Sequence, residues 1–205
     1  MPKKEAPLEQ LEDYLPAGSG SLIFNYLHTY RVHLTITRSR KSVLGDYRHT
    51  TTNRNHRISI NGNLNKYAFL ITLVHELAHL VTFMQFENRV QAHGREWKLV
   101  YRKILEEFIG LQIFPVDILT AFKRSLHDLP ASSCADEQLM RVLRNYDQKP
   151  RNAVFVEQLE EGGLFEIDGG QLFRRGKIVR KRYQCVEINS GKLYLFSPIY
   201  EVIAV

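Results

Sequence analysis

Residues 66–86, KYAFLITLVHELAHLVTFMQF, constrain the fold more than any other stretch of the chain. Read as a helix, the segment carries Phe69, Leu70, Leu73, Val74, Leu77, Leu80, Val81 and Phe83, which fall on nearly every side of the axis. A helix apolar all round is buried, so the rest of the chain must wrap it. Yet one turn of this helix carries His75, Glu76 and His79. Ionisable groups rarely enter an apolar helix without partners, so these three need an explanation beyond packing.

The spacing His75-Glu76-Leu77-Ala78-His79 is H-E-x-x-H. Residues four apart on a helix differ by about 40° around the axis, so both imidazoles leave from one face. They can share one zinc ion at about 2.0–2.1 Å per nitrogen. Glu76 stands about 100° away from His75, poorly placed as a ligand but able to face water at the ion. Two ligands, one base and open coordination are what a zinc hydrolase needs. With eight histidines and fifteen glutamates, chance placement gives about 0.02 such matches in the chain.

A catalytic zinc site takes a third protein ligand. His93 is the best candidate, because Gly94 after it permits a tight turn and a second helix begins there. Glu87 and Glu96 are rivals: Glu87 lies too far along the first helix, and Glu96 suits a supporting role. With zinc lowering the pKa of its water, Glu76 would take the proton and pass it to the departing amine. Tyr47, Tyr101 or an arginine could stabilise the oxyanion. Trp97 reads as core packing.

Around this motif the pattern predicts a short helix in residues 1–20, a helix over 22–30, strands over 32–38, 43–51 and 56–62, and a turn at Asn61-Gly62. Asn63 or Asn65 caps the long helix. Further helices are expected over 95–110, 115–129 and 134–147. After Pro150 short strands alternate with Gly-Gly, Asp-Gly-Gly and Asn-Ser-Gly turns. This divides the chain into an N-terminal segment 1–21, a domain 22–147 and a small β domain 152–205. No secretory leader is visible, and the longest apolar run, AFLITLV, is too short to span a bilayer. The expected protein is soluble and cytoplasmic, with no membrane partner. Cys134 and Cys185 form no C-x-x-C pair, which argues against a disulfide framework or a cysteine zinc site.

The net charge of +6 is concentrated. Between Arg31 and Lys66 eight Lys/Arg face a single acid, Asp46, and RRGKIVRKR places six charges between Arg174 and Arg182. Each cluster is either a solvated face or a surface for a polyanion. Arg38, Arg40, Lys41 and Arg48 are the candidate nucleic-acid contacts in the first cluster, and Arg174, Arg175, Arg180, Lys181 and Arg182 in the second. Tyr183 is available for base stacking.

The order HRISINGNLNKYAFLITLVHELAHL followed by HGREW resembles the SprT-like (Spartan-type) zinc metalloprotease family. The resemblance covers roughly residues 22–110. It implies an α+β, zincin-like domain in which a small antiparallel sheet precedes the H-E-x-x-H helix. It implies metal ligands His75, His79 and His93 for one zinc ion, a general base at Glu76, and protein substrates bound or crosslinked to DNA. Many family members continue into a zinc ribbon with two cysteine pairs. Here the corresponding region keeps only Cys185, so it resembles a degenerate ribbon and a second zinc is not expected. An extended substrate would pair with a sheet edge, expected at HRISI. The alternatives are a DNA-binding or regulatory zinc protein with little protease activity, and a zinc hydrolase with a non-peptide substrate.

Overall fold

The computed structural model describes residues 8–40, 43–49, 55–125, 136–148, 153–167 and 169–205. Two units result, Met1–Asp147 and Gln148–Val205. The first runs α1 (Leu8–Leu11), a 3-10 turn (Glu12–Tyr14), α2 (Gly20–Thr29), β1 (Val32–Thr37), β2 (Gly45–Arg48), β3 (His56–Asn61), α3 (Lys66–Phe86), α4 (Arg95–Gly110), α5 (Val116–Ser125) and α6 (Glu137–Arg144).

α3 is the axis of this unit. Its N-terminus is fixed by Asn65, whose side chain accepts from the Ala68 N–H at 3.0 Å and donates to the Leu143 carbonyl at 2.9 Å, tying the cap to α6. By length and composition α3 could cross a membrane, but 78% of its apolar window is buried inside the protein. Lipid does not reach those side chains, so the apolar surface is explained by the core. α4 packs on it with the amphipathic spacing Trp97, Tyr101, Ile104, Leu105 and Phe108, all buried. Leu11 and Leu15, from the segment before residue 22, are buried in the same core.

The three-stranded sheet has the order β1-β3-β2. β2 pairs antiparallel with β3, but β1 pairs parallel with β3, Val32 opposite His56 through Thr37 opposite Asn61. The expected antiparallel sheet is therefore a mixed one. Alternating apolar residues announce a strand but not its partner. Here the chain leaves β1, forms β2 on the far side, and returns as β3 between them. The expectation that HRISI is the open edge also fails for this reason: β3 is central, paired on both sides, and the edges are β1 and β2.

Ile58 and Ile60 of β3 are buried on the inner face, where Gly45 and Tyr47 of β2 lie opposite Ile60 and Ile58. A Cβ on Gly45 would lie 2.7 Å from both Glu76 Oε1 and Thr72 Cγ2. Only glycine lets the edge strand pass so close to α3.

The second unit is a six-stranded sheet of order β4-β9-β5-β6-β7-β8, built from β4 (Ala153–Phe155), β5 (Leu164–Ile167), β6 (Gln171–Val179), β7 (Arg182–Glu187), β8 (Leu193–Phe196) and β9 (Glu201–Ala204). Every pairing is antiparallel. Val156, Phe165, Phe173, Cys185, Phe196 and Val202 form its own core, and Cys185 is a free buried thiol. Cys134 lies outside the described residues.

Candidate metal centre

His75 and His79 emerge from the same face of α3. His93 reaches them from the turn before α4. The three Nε2 atoms form a triangle, 3.2 Å from His75 to His79, 2.9 Å from His79 to His93 and 3.2 Å from His93 to His75. Among the described residues these three side chains form the group able to hold a metal ion, and neither Glu87 nor Glu96 belongs to it. His93 has φ +60. A non-glycine residue in the left-handed region is uncommon, and such outliers gather at functional sites. The tight turn thus falls on the histidine itself. Gly94 is extended (φ −70, ψ −170) and caps the N-terminus of α4.

The triangle cannot be closed by hydrogen bonds. An imidazole Nε2 carries either a proton or a lone pair, never both. With three nitrogens in mutual contact, at least one pair must then face proton to proton or lone pair to lone pair. A cation accepting all three lone pairs removes that conflict, so the donor set fits a metal ion. Their protonation agrees. Burial, then His79 and His93, hold His75 down at about 3; burial and His93 hold His79 at about 4; and burial lowers His93. All three are therefore neutral near pH 7, the state in which imidazole binds a cation.

Trp97, 1% exposed, backs the centre. Its ring centroid lies 4.7 Å from His75, 5.2 Å from His79 and 4.7 Å from His93, and it stacks on Tyr101 at 4.9 Å. The packing role expected for it is the one observed. Trp97 also lines, with Tyr47, His49, His79, Thr82 and Phe83, a cavity of about 140 Å³ beside the centre.

Glu76 is buried. Desolvation, helped by the Asp46 carboxylate, pushes its pKa up to about 8, against opposing pulls from Arg40 and from a hydrogen bond with the Tyr47 backbone. A carboxyl so placed exchanges a proton near neutral pH. Of the oxyanion candidates, the Tyr47 hydroxyl is engaged with His56 Nδ1 at 2.9 Å, and Tyr101 is buried behind Trp97.

The basic candidates fall into separate groups. Arg38 is exposed, and Lys41 lies outside the described residues. Arg40 is tied down: Nε donates to Asn61 Oδ1 at 2.8 Å and Nη1 to Ser59 Oγ at 3.0 Å. Arg48 pairs with Asp46 at 2.7 Å and is 76% exposed. In the second unit Arg174, Arg180, Lys181 and Arg182 are exposed. Arg175 sits over the Tyr183 ring at 4.2 Å, covering a face that base stacking would need. Residues His33 and Arg57, absent from the sequence-derived candidates, join Arg40 and Arg48 around one cavity.

The α+β unit thus carries three histidines able to hold a metal ion, one buried and two half-buried, with the buried Glu76 on the same helix as His75 and His79. The sequence pattern of the SprT-like family matches residues 14–118, about half of the chain, and the chain belongs to that family. Over 35 residues the chain is 51% identical to Protein SprT of Pseudomonas putida, 49% to that of Pseudomonas entomophila and 46% to that of Pseudomonas fluorescens. Each match covers 17% of this chain and 21% of the relative, well short of its full length. No solved structure matches the chain. Membership points to a metalloprotease-family role, and the three close histidines to a metal ion.

Proposed function

We propose that the protein is a zinc-dependent peptidase of the cytoplasm that cleaves proteins bound or crosslinked to DNA. The observation that carries this reading is the Nε2 triangle, whose contacts no arrangement of protons satisfies, with Glu76 buried next to His75 on the same helix. His75, His79 and His93 would hold the ion, and zinc suits an all-imidazole set. Zinc supplies a Lewis acid when bound.

The chain's own residues do the rest. A Glu76 carboxylate oxygen takes a proton from the attacking water as the new C–O bond forms. It then delivers that proton to the amide nitrogen as the C–N bond breaks. β2, the sheet edge that touches Glu76 through Gly45, offers backbone to an extended substrate. The cavity lined by Phe83 and Trp97 receives a neighbouring side chain. The free thiol of Cys185 suits a reducing compartment. The exposed arginines favour DNA as the place where substrates are met.

Glu76→Gln tests the reading. The variant should keep one zinc per chain by atomic absorption and lose about 10²- to 10⁴-fold in cleavage of a DNA-bound protein. If wild type and variant degrade that protein equally slowly, the chain is a zinc-holding regulatory protein. Cleavage of esters or simple amides but no peptide would identify a different hydrolase.

A further inference from the structure

The face of the three-stranded sheet turned away from α3 carries no apolar side chain in its central rows. In register across β1, β3 and β2 stand His33, Arg57 and Arg48. The next row is Thr35, Ser59 and Asp46. Together with Arg40 these residues enclose a concavity of about 290 Å³.

Two features set this face apart from an ordinary solvated one. The first is the juxtaposition of Arg57 and Arg48, directly opposite each other on neighbouring strands. Like charges in that position destabilise a sheet. Both side chains are exposed, and the carboxylate Asp46 meets Arg48 through Nε. The second is Arg40. Among the described residues its hydrogen bonds go to neutral oxygens, those of Asn61, Ser59 and the Leu44 carbonyl, while its charge also acts on the Glu76 carboxyl. Its guanidinium is held in place at the rim, so little ordering remains to be done when an anion arrives. A fixed cation, an opposed arginine pair and two hydroxyls around one concavity make an anion site.

We propose that this face binds the sugar–phosphate backbone of a nucleic-acid strand, with Arg57 and Arg48 on phosphate oxygens and Thr35 and Ser59 donating beside them. The proposal rests on the reading that the protein works on DNA and names the surface that would hold it. β2 serves both faces: Gly45 lies against Glu76 on the inner side, while Asp46 and Arg48 line the concavity on the outer side. A strand bound there would lie one sheet thickness from the metal centre.

Binding of fluorescent oligothymidylate to the full chain carrying Glu76→Gln, titrated over salt concentration, tests this. Arg57→Thr and Arg48→Gln, made singly on that background, should each weaken binding severalfold at low salt. Each should also reduce the slope of log affinity against log salt by about 0.7, the value of one phosphate contact on a single strand. Arg57→Thr should in addition raise the melting temperature of the free protein, because it removes the like-charge opposition; a merely structural arginine would lower it. Slopes equal to that of the parent overturn the proposal while leaving DNA as a partner held elsewhere, with Arg174→Gln as the next variant. Displacement of the oligonucleotide by polyglutamate at equal charge concentration also overturns it, since the face would then read charge alone. A parent protein that binds no oligonucleotide removes both this surface and the DNA reading, and leaves the peptidase reading to its own assay.

Discussion

Glu76 in the first unit and Glu187 in the second are both buried glutamates, and they are buried in opposite ways. Glu187 accepts from Gln171 Nε2, the Ser190 hydroxyl and the Tyr194 hydroxyl, so its lone pairs find donors within its own sheet and turn. Glu76 lies in the wall of an apolar helix, met by the Tyr47 backbone and the Asp46 carboxylate, and the same helix carries two of the three imidazoles whose nitrogens cannot all be paired. A closed network of this kind is what a polar group needs in order to be structural. A network left open at one point, inside a core that could have been apolar, marks the place where something else is meant to bind.

The difference can be broken most forcefully at Gly45. Gly45→Ala places a methyl group against Glu76 Oε1 and Thr72, so either β2 or the carboxyl must move. Peptide cleavage should fall by about 10²-fold, the usual cost of misplacing a catalytic group by an ångström or so. Zinc content should remain at one per chain, since the histidines are untouched. Full activity would show that β2 does not set the position of Glu76.

The paired glutamates come next. Glu187→Ala strands the donors of Gln171, Ser190 and Tyr194, and urea denaturation should show a loss of about 1–3 kcal/mol. Glu76→Gln should cost nothing in the metal-free chain and raise its stability at pH 8, where the wild-type carboxyl is forced to ionise in the core. A loss of stability in both variants would erase the distinction drawn between them.

The smallest effect is on pH dependence in the metal-free chain, held so with a chelator. His75 and His79 have folded pKa values near 3 and 4 against 6.5, so their contribution is complete above pH 6.5 and drains away as pH falls. Glu76 is raised from 4.5 to about 8, so its contribution is complete below pH 4.5 and drains away as pH rises towards 8. Between pH 4.5 and 6.5 the protons of His75 and His79, joined by that of His93, outweigh the one glutamate proton, and stability climbs with pH. As pH rises beyond the ordinary histidine range the glutamate dominates and stability declines. Thermal unfolding should therefore peak a little above pH 6.5, and Glu76→Gln should flatten the alkaline side. A midpoint that keeps rising to pH 8 in wild type would contradict the burial ascribed to Glu76.

Much of the centre was legible in residues 66–96 because helical geometry is local. The bounds of α3 and α4, the shared face of His75 and His79, the offset of Glu76 and the candidacy of His93 all follow from a period of 3.6 residues and the helix that begins after Gly94. The Asn65 cap belongs to the same class of inference. Residues 32–61 were legible only as strands. Alternation could not say that β1 would run parallel to β3 or that β3 would take the middle, because pairing joins segments far apart in sequence and depends on the path between them.

Those long-range pairings decided the remainder. They moved the open edge from HRISI to β2 and brought Gly45 against Glu76. They also aligned His33, Arg57 and Arg48 into one row, while Arg40 was drawn into hydrogen bonds with Ser59 and Asn61. The sequence by itself determined which atoms could bind a cation and which helix would carry them, since both depend on neighbours a turn apart. Only the folded sheet decided which backbone faces the site and which charges stand together, because cross-strand neighbours are set by register.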